Sequence, residues 1–310
     1  MKNKICVIVP AFNAEKTIQK TLESLKNQSV KDFECIVVND GSSDKTESIA
    51  KKFSFVKIIN QKNFGISYAR NIGAKNAQSE LIAFLDADVV VEKQWIEKML
   101  KAFEKDKNVF CVCGNYSGEL NGSFSSDFFA FTIASSQFQG YNIAFRKKEF
   151  LETGGFDESF KYSEEPEFFF RTFEQNKKLK QINALSIHSS YGLIERLEKN
   201  FEYSQWDAKT LKKHFNLVIQ SPVNFVQLSP ANIKYITGFY FLATISLFLV
   251  FFNAWFAFFP AFIGVIKFVE LKEKVQYKNN FLALLGFAFI ALIIISWIKF
   301  AGFIIGLAKK

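Results

Sequence analysis

The chain has 310 residues, of which 49 % are hydrophobic, and its 39 Lys and Arg against 30 Asp and Glu give a formal charge of +9. That length holds one large domain or two small ones. The basic excess is spread along the chain without the dense stripe of a nucleic-acid binder, and attraction to an anionic membrane surface and to anionic small molecules accounts for it more simply.

Apolar runs at Ile5–Val9, Cys35–Val38, Val56–Ile59 and Leu81–Leu85 alternate with segments of helical period. Such alternation predicts βαβ units around a mostly parallel sheet. Ile18, Leu22 and Leu25 fall on one helical face, and Ile96, Leu100 and Phe103 on another. Between them Ala69, Gly73 and Ala77 recur every fourth residue, a small stripe that lets a helix lie close on the sheet. Cys6, Cys35, Cys111 and Cys113 sit in or beside the apolar runs, and Cys111-Val112-Cys113 has the wrong spacing for a zinc knuckle, so all four read as buried, reduced thiols.

The loops at the strands' C-terminal ends share one edge, where open α/β sheets bind ligands. The first strand ends in Pro10-Ala11-Phe12-Asn13 and the second in Asn39-Asp40-Gly41-Ser42-Ser43-Asp44. Asp44 and Glu47 have the spacing that satisfies free amides at a helix start. Asp40 stands at the strand end before the turn, where its carboxylate can accept from a nucleobase N–H or a ribose hydroxyl. The fourth strand runs into Asp86-Ala87-Asp88, two carboxylates expected on one face because side chains two apart on a strand point the same way. They form a hard-oxygen site for Mg²⁺ or Mn²⁺ shared with substrate phosphates, or else simply solubilise a strand end.

A second acidic cluster, Ser163-Glu164-Glu165-Pro166-Glu167, precedes an apolar helix. Proline suits a first helical turn, which puts Glu165 at the helix mouth, where acidic residues also serve the macrodipole. His188 follows the run Ile182–Ile187 and is either a ligand for metal or phosphate or an ordinary histidine; His214 reads as a helix-surface residue.

From Tyr235 to Ile266 there is no charge, and a second uncharged run, Asn279–Ile298, continues past Lys299 to Leu307. Each is long enough to cross a bilayer, although Asn253 and Pro260 interrupt the first, which also fits a hairpin of two short helices. The N-terminus lacks a signal-peptide pattern. Lys267, Lys272, Lys274 and Lys278 between the runs, and Lys309-Lys310 after them, favour the cytoplasmic side. The expected organisation is a catalytic domain over 1–225, facing the cytoplasm, and a multi-pass membrane region over 226–310 with helices near 235–266 and 279–307.

Val7-Ile8-Val9-Pro10-Ala11-Phe12-Asn13-Ala14-Glu15, Val37-Val38-Asn39-Asp40-Gly41-Ser42-Ser43-Asp44, Asn63-Phe64-Gly65 with Ala69-Arg70-Asn71, and Asp86-Ala87-Asp88 occur in this order within the first 90 residues. Together they resemble the family 2 glycosyltransferases of GT-A fold, and the resemblance continues through Gly154-Gly155-Phe156-Asp157 to Arg171. It implies a Rossmann-like α/β sheet with helices on both faces, followed here by a helical transmembrane region. It also implies that Pro10, Ala11, Phe12, Asn13, Glu15 and Asp40 surround the base and ribose of a nucleotide diphosphate sugar. Asp86, beside Ala87, touches the ribose or metal; Asp88 ligates Mn²⁺ or Mg²⁺, with His188 as a further ligand. Arg70 matches an arginine near the nucleotide, a position that equally suits a salt bridge.

The acidic cluster falls where the family has Glu-Asp with an arginine seven residues after the Glu, and Arg171 keeps that spacing from Glu164. Glu165 therefore takes the catalytic-base position beside Glu164, as Glu in place of Asp. The extra methylene extends the carboxylate by roughly 1.5 Å, a displacement to which catalysis responds. The implied reaction is inverting transfer of one sugar to a hydroxyl or phosphate, with Gly140–Phe145 leading to the acceptor side. Gln205-Trp206 lacks the Gln-x-x-Arg-Trp pattern of processive members. The expected acceptor is a lipid-linked glycan, a glycolipid or polyprenyl phosphate in cell-envelope synthesis, with Trp206 and Lys209–Lys213 near the bilayer or on an amphipathic linker. Competing readings are a nucleotidyltransferase, which normally carries a glycine-rich phosphate loop that Ala11–Lys16 lacks, and a catalytically impaired membrane scaffold.

Overall fold

The computed structural model describes residues 4–116, 140–162, 164–175 and 177–188, with isolated positions between 198 and 308. The chain divides into two compact units, Met1–Ser190 and Tyr191–Lys310. The expected boundary at 225/226 and, apart from Ile305, both apolar runs lie outside the described residues. Among the described residues no helix is long and apolar enough to cross a membrane.

The first unit follows the alternation β1 (Ile5–Ala11), α1 (Ile18–Lys26), β2 (Glu34–Asn39), α2 (Thr46–Ala50), β3 (Val56–Asn60), α3 (Ile66–Asn76) and β4 (Leu81–Phe84). It continues with β5 (Val89–Val91), α4 (Trp95–Lys105), β6 (Val109–Tyr116), β7 (Ile143–Arg146), α5 (Lys147–Glu152), α6 (Glu164–Glu174) and β8 (Lys178–His188). Eight strands form one sheet in the order β3-β2-β1-β4-β7-β6-β8-β5.

Every residue of β1 is buried, which is why it is apolar throughout: a central strand covered on both faces has no solvent side to alternate with. Ile5, Val7 and Val9 pack with Ile18, Leu22 and Leu25 of α1 and with Trp95, Ile96 and Phe103 of α4. Cys6 and Ile8 pack on the other face with Ala69 and Ala74 of α3, Phe150 of α5 and Phe168 of α6. Helices thus cover both faces, as expected. Gly73 completes the close approach of α3, since a Cβ there would fall 2.3 Å from Ile8 Cγ2. The four cysteines are buried and free, and burial pushes the thiols of Cys6 and Cys35 up, so they stay protonated.

The sheet is mostly parallel, as expected, with β5 and β7 running against the other six strands. β3, β2, β1 and β4 run parallel, β7 is antiparallel to both β4 and β6, β6 and β8 are parallel, and β5 is antiparallel to β8. An apolar run reports burial and not direction, which the connecting chain decides. Asp86 and Asp88 lie differently from expectation: β4 ends at Phe84, so both stand in the turn before β5 instead of on one strand. Ala87 between them is buried, and both aspartates are partly exposed. In the second unit His214 is buried at 7 % exposure and not on a surface, its N–H bonded to the Thr210 carbonyl as the helical segment ends.

Candidate active site

Parallel β1, β2, β3 and β4 deliver their following loops to one edge, and side chains lace those loops together. The Asn13 N–H donates to Ser42 Oγ at 3.0 Å, and the Ser43 N–H donates to Asn13 Oδ1 at 2.9 Å. Asp44 accepts from the backbone N–H of Glu15 at 3.0 Å and of Thr46 at 2.9 Å, while the Lys45 N–H donates to Glu15 Oε2 at 3.2 Å. Desolvation opposes the Asp44 charge, but these donors outweigh it and hold its carboxyl below the ordinary value. Asp44 is therefore structural, as its spacing suggests. Asn13 adopts φ 48°, the left-handed region that asparagine tolerates.

Pro10 and Ala11 are buried in β1, and the Ala11 carbonyl accepts the Asp40 N–H at 2.9 Å. Asp40 is buried too, and its carboxylate organises the loop after β3 by accepting from Gln61 Nε2 at 2.7 Å and from the N–H groups of Phe64 and Gly65, both at 2.9 Å. Gly41 makes this approach possible: at φ +78° a Cβ there would sit 2.9 Å from the Asn63 nitrogen. Phe12 and Phe64, whose backbones flank Asp40, are 50 % and 56 % exposed, and the Phe64 ring leans on Tyr68 at 4.8 Å. Two half-exposed aromatic faces beside a buried carboxylate suit a flat polar heterocycle.

The centre of the site is Arg70. Its side chain is 1 % exposed, with Nη2 2.8 Å from Asp86 Oδ1 and Nη1 3.0 Å from Glu165 Oε1 and bonded also to Glu164. Burial opposes its charge, but Asp86, Glu164 and Glu165 outweigh that and push its pKa up. Three carboxylates cannot all be balanced by one cation. Burial, and then the neighbouring Glu165 charge, push the Glu164 carboxyl up to about 8 against the pull of Arg70. Glu165 keeps 21 % side-chain exposure and Asp86 23 %, so both carboxylates reach solvent from the same guanidinium.

Asp88 stands two residues beyond Asp86 in the turn and is partly exposed. β8 brings the backbone of His188 beside Val89, one residue past Asp88; the His188 side chain lies outside the described residues. Among the described residues no three His, Cys, Asp or Glu side chains are gathered to hold a metal ion. The donor set of Asp86 and Asp88 nevertheless fits Mg²⁺ or Mn²⁺, which take one or two carboxylates and complete their shells with water and phosphate oxygens.

Arg171 serves the scaffold: it pairs with Glu167 at 2.7 Å and donates to the carbonyls of Thr153 and Gly155, both at 2.6 Å. Three further residues support the site from within stretches that the sequence named, without a role of their own there. Asn71 holds both the N–H and the carbonyl of Phe156, and its only signal is its place after Arg70. Buried Asn142 accepts from Trp95 Nε1 at 2.7 Å and donates to the Ala184 carbonyl at 3.1 Å, tying α4 to β8. Gly140 closes on Glu165, where a Cβ would fall 1.8 Å from Oε1. The last two lie in the Gly140–Phe145 stretch, where nothing local marks them for these contacts.

The sequence profile described as Glycosyl transferase family 2 matches residues 6–165. The putative glycosyltransferase EpsH of Bacillus subtilis (strain 168) is 37 % identical over 120 residues, covering 37 % of this chain and 34 % of EpsH. Among solved structures, S. aureus TarS residues 1–349 in complex with UDP-GlcNAc superimposes with a TM-score of 0.52 at 20 % identity, covering 67 % of this chain and 66 % of that one. The mannosyltransferase PcManGT of Pyrobaculum calidifontis in complex with GDP-Man and Mn²⁺ does so with a TM-score of 0.57 at 16 % identity, covering 70 % and 65 %. These two likenesses show the fold, a GT-A-like mixed α/β sheet. Matched stretches span 18 to 34 % of the length of curated relatives such as EpsH.

Proposed function

The chain belongs to glycosyl transferase family 2, and we propose that it moves one sugar from a nucleotide diphosphate sugar to an acceptor hydroxyl or phosphate with inversion at the anomeric carbon. The observation that carries this reading is the Arg70 guanidinium, which gathers Asp86 at 2.8 Å and Glu165 at 3.0 Å, a diphosphate-side carboxylate and a partly exposed base candidate.

Phe12, Phe64 and Asp40 receive the base and ribose. Asp86 and Asp88 would hold Mg²⁺ or Mn²⁺, an ion that when bound neutralises charge on a departing diphosphate. The acceptor oxygen attacks the anomeric carbon from the side opposite the diphosphate, the carbon–oxygen bond to the diphosphate breaks, and the hydroxyl proton passes to Glu165. A phosphate acceptor attacks as its anion and needs no such proton transfer. One displacement gives inversion. The UDP-GlcNAc bound to TarS and the GDP-Man and Mn²⁺ bound to PcManGT support a nucleotide sugar donor and a divalent ion.

The uncharged runs 235–266 and 279–307, the second broken only by Lys299, support anchoring in the cell membrane with the catalytic unit on the cytoplasmic side. A lipid-linked glycan, glycolipid or polyprenyl phosphate is then the acceptor within reach.

The test incubates membranes carrying the full chain with a panel of UDP- and GDP-sugars and Mn²⁺. Labelled lipid and released nucleoside diphosphate are expected, Glu165→Gln losing about 10²- to 10⁴-fold in rate with donor binding kept. Asp88→Ala should lose metal-dependent donor binding. Failure to release nucleoside diphosphate from any donor overturns the reading.

A further inference from the structure

Arg70 joins two stretches of chain that lie far apart in sequence. Nη2 donates to Asp86 in the β4–β5 turn, and Nη1 to Glu164 and Glu165 at the mouth of α6. The rings of Phe84 and Phe156 pack 6.0 and 5.6 Å from the guanidinium carbon, and the side chain is 1 % exposed. Such a group offers almost no surface to a nucleotide. What it does offer is geometry: the nitrogens of a planar fork keep a set spacing, so the carboxylates on them are held in register with each other, which a single ammonium does not achieve.

Gly140 bears on the same atom. Arg70 holds Glu165 Oε1 at 3.0 Å, and a Cβ at position 140 would land 1.8 Å from that oxygen. The Glu165 carboxylate therefore depends on Arg70 for its anchor and on the bareness of Gly140 for its space.

We propose that Arg70 is a positioning residue, which together with the open space at Gly140 aims Glu165 relative to Asp86 and so lines up the proton acceptor with the diphosphate side of the donor, without itself touching the nucleotide. This rests on the glycosyl-transfer reading above, and it moves Arg70 from the nucleotide's surroundings to the alignment of the acidic groups.

The test uses the full-length chain as wild type, Arg70→Lys, Glu165→Gln and the double variant, assayed for sugar transfer and, separately, for calorimetric binding of UDP and GDP with Mn²⁺. Arg70→Lys should lose about 10- to 100-fold in kcat, as supporting residues do, with donor KM and nucleoside diphosphate Kd within about threefold of wild type. Because Arg70 acts through Glu165, the double variant should be no slower than Glu165→Gln alone. Additive losses overturn the proposal, as does wild-type kcat in Arg70→Lys. Nucleoside diphosphate affinity that falls in step with kcat/KM also overturns it, by making Arg70 a nucleotide ligand. Should Arg70→Lys fail to fold, Gly140→Ala decides, since it displaces Glu165 Oε1 and leaves every buried charge in place. Reduced kcat with retained nucleotide binding supports the proposal, and wild-type kcat overturns it. A wild-type chain inactive with every donor sinks the functional reading instead, before any variant is compared.

Discussion

Asp40 and Gly65, 25 residues apart, are joined by a 2.9 Å hydrogen bond from the glycine N–H to carboxylate Oδ2. The same carboxylate takes the Phe64 N–H at 2.9 Å through Oδ1, so one buried side chain anchors the loop that presents Phe64. In Asp40→Asn an amide NH₂ must face one of those N–H groups, leaving a donor unmet at a cost of about 1–3 kcal/mol. The melting temperature should fall by roughly 2–4 °C for each kcal/mol, and affinity for nucleoside diphosphate should weaken with the loosened loop. Thermal scans and calorimetry check both.

Gly73→Ala sets two effects against each other. Alanine improves helix propensity by up to about 1 kcal/mol, but its Cβ would lie 2.3 Å from Cγ2 of Ile8, a fully buried residue of a central strand. Overpacking of this kind costs about 1–3 kcal/mol, so a net loss of stability is expected in chemical denaturation. A rise in stability would show that α3 can lift from the sheet at little cost.

Asn71→Ala removes the partner of both the Phe156 N–H at 2.9 Å and the Phe156 carbonyl at 2.8 Å. Both groups are buried, and each left unmet costs about 1–3 kcal/mol. The variant should be among the least stable of single substitutions outside the apolar core. Gly155, at φ +69° with space for no Cβ beside Asn71, makes the turn that this asparagine grips.

Glu164 makes stability depend on pH. Its carboxyl is raised from 4.5 to about 8 in the folded protein. The folded state therefore keeps a proton that the unfolded chain releases, and the stabilisation, complete below pH 4.5, is lost as pH rises towards 8. The slope is at most about 1.4 kcal/mol per pH unit. Melting temperatures measured across that window should fall with pH and level off above it, and Glu164→Gln should flatten this dependence. Asp44, whose carboxyl is lowered, acts only on the acid side and does not enter the window.

Much of the fold was legible in the chain because burial writes itself locally. The spacing of Ile18, Leu22 and Leu25 marks a face that α1 indeed buries, and Ala69, Gly73 and Ala77 mark the close approach of α3 to the sheet. The motif loops after β1, β2 and β4 meet at one edge because parallel strands must end together. The reversal of β5 and β7 was not legible, since an apolar run looks the same either way. Nor was the burial of His214.

Residue types and spacing by themselves placed Asp86 and Asp88 at the C-terminal edge of an α/β sheet, and the family resemblance added Glu164 and Glu165 as candidates. Only the tertiary structure decided that Arg70, 94 and 95 residues before the two glutamates, lies among them, that burial raises the Glu164 carboxyl, and that Gly140 leaves space for Glu165. The physical reason is that proton affinity and aim depend on desolvation and on charges within a few ångströms. Those neighbours are assembled by folding and leave no mark in the local pattern of the chain.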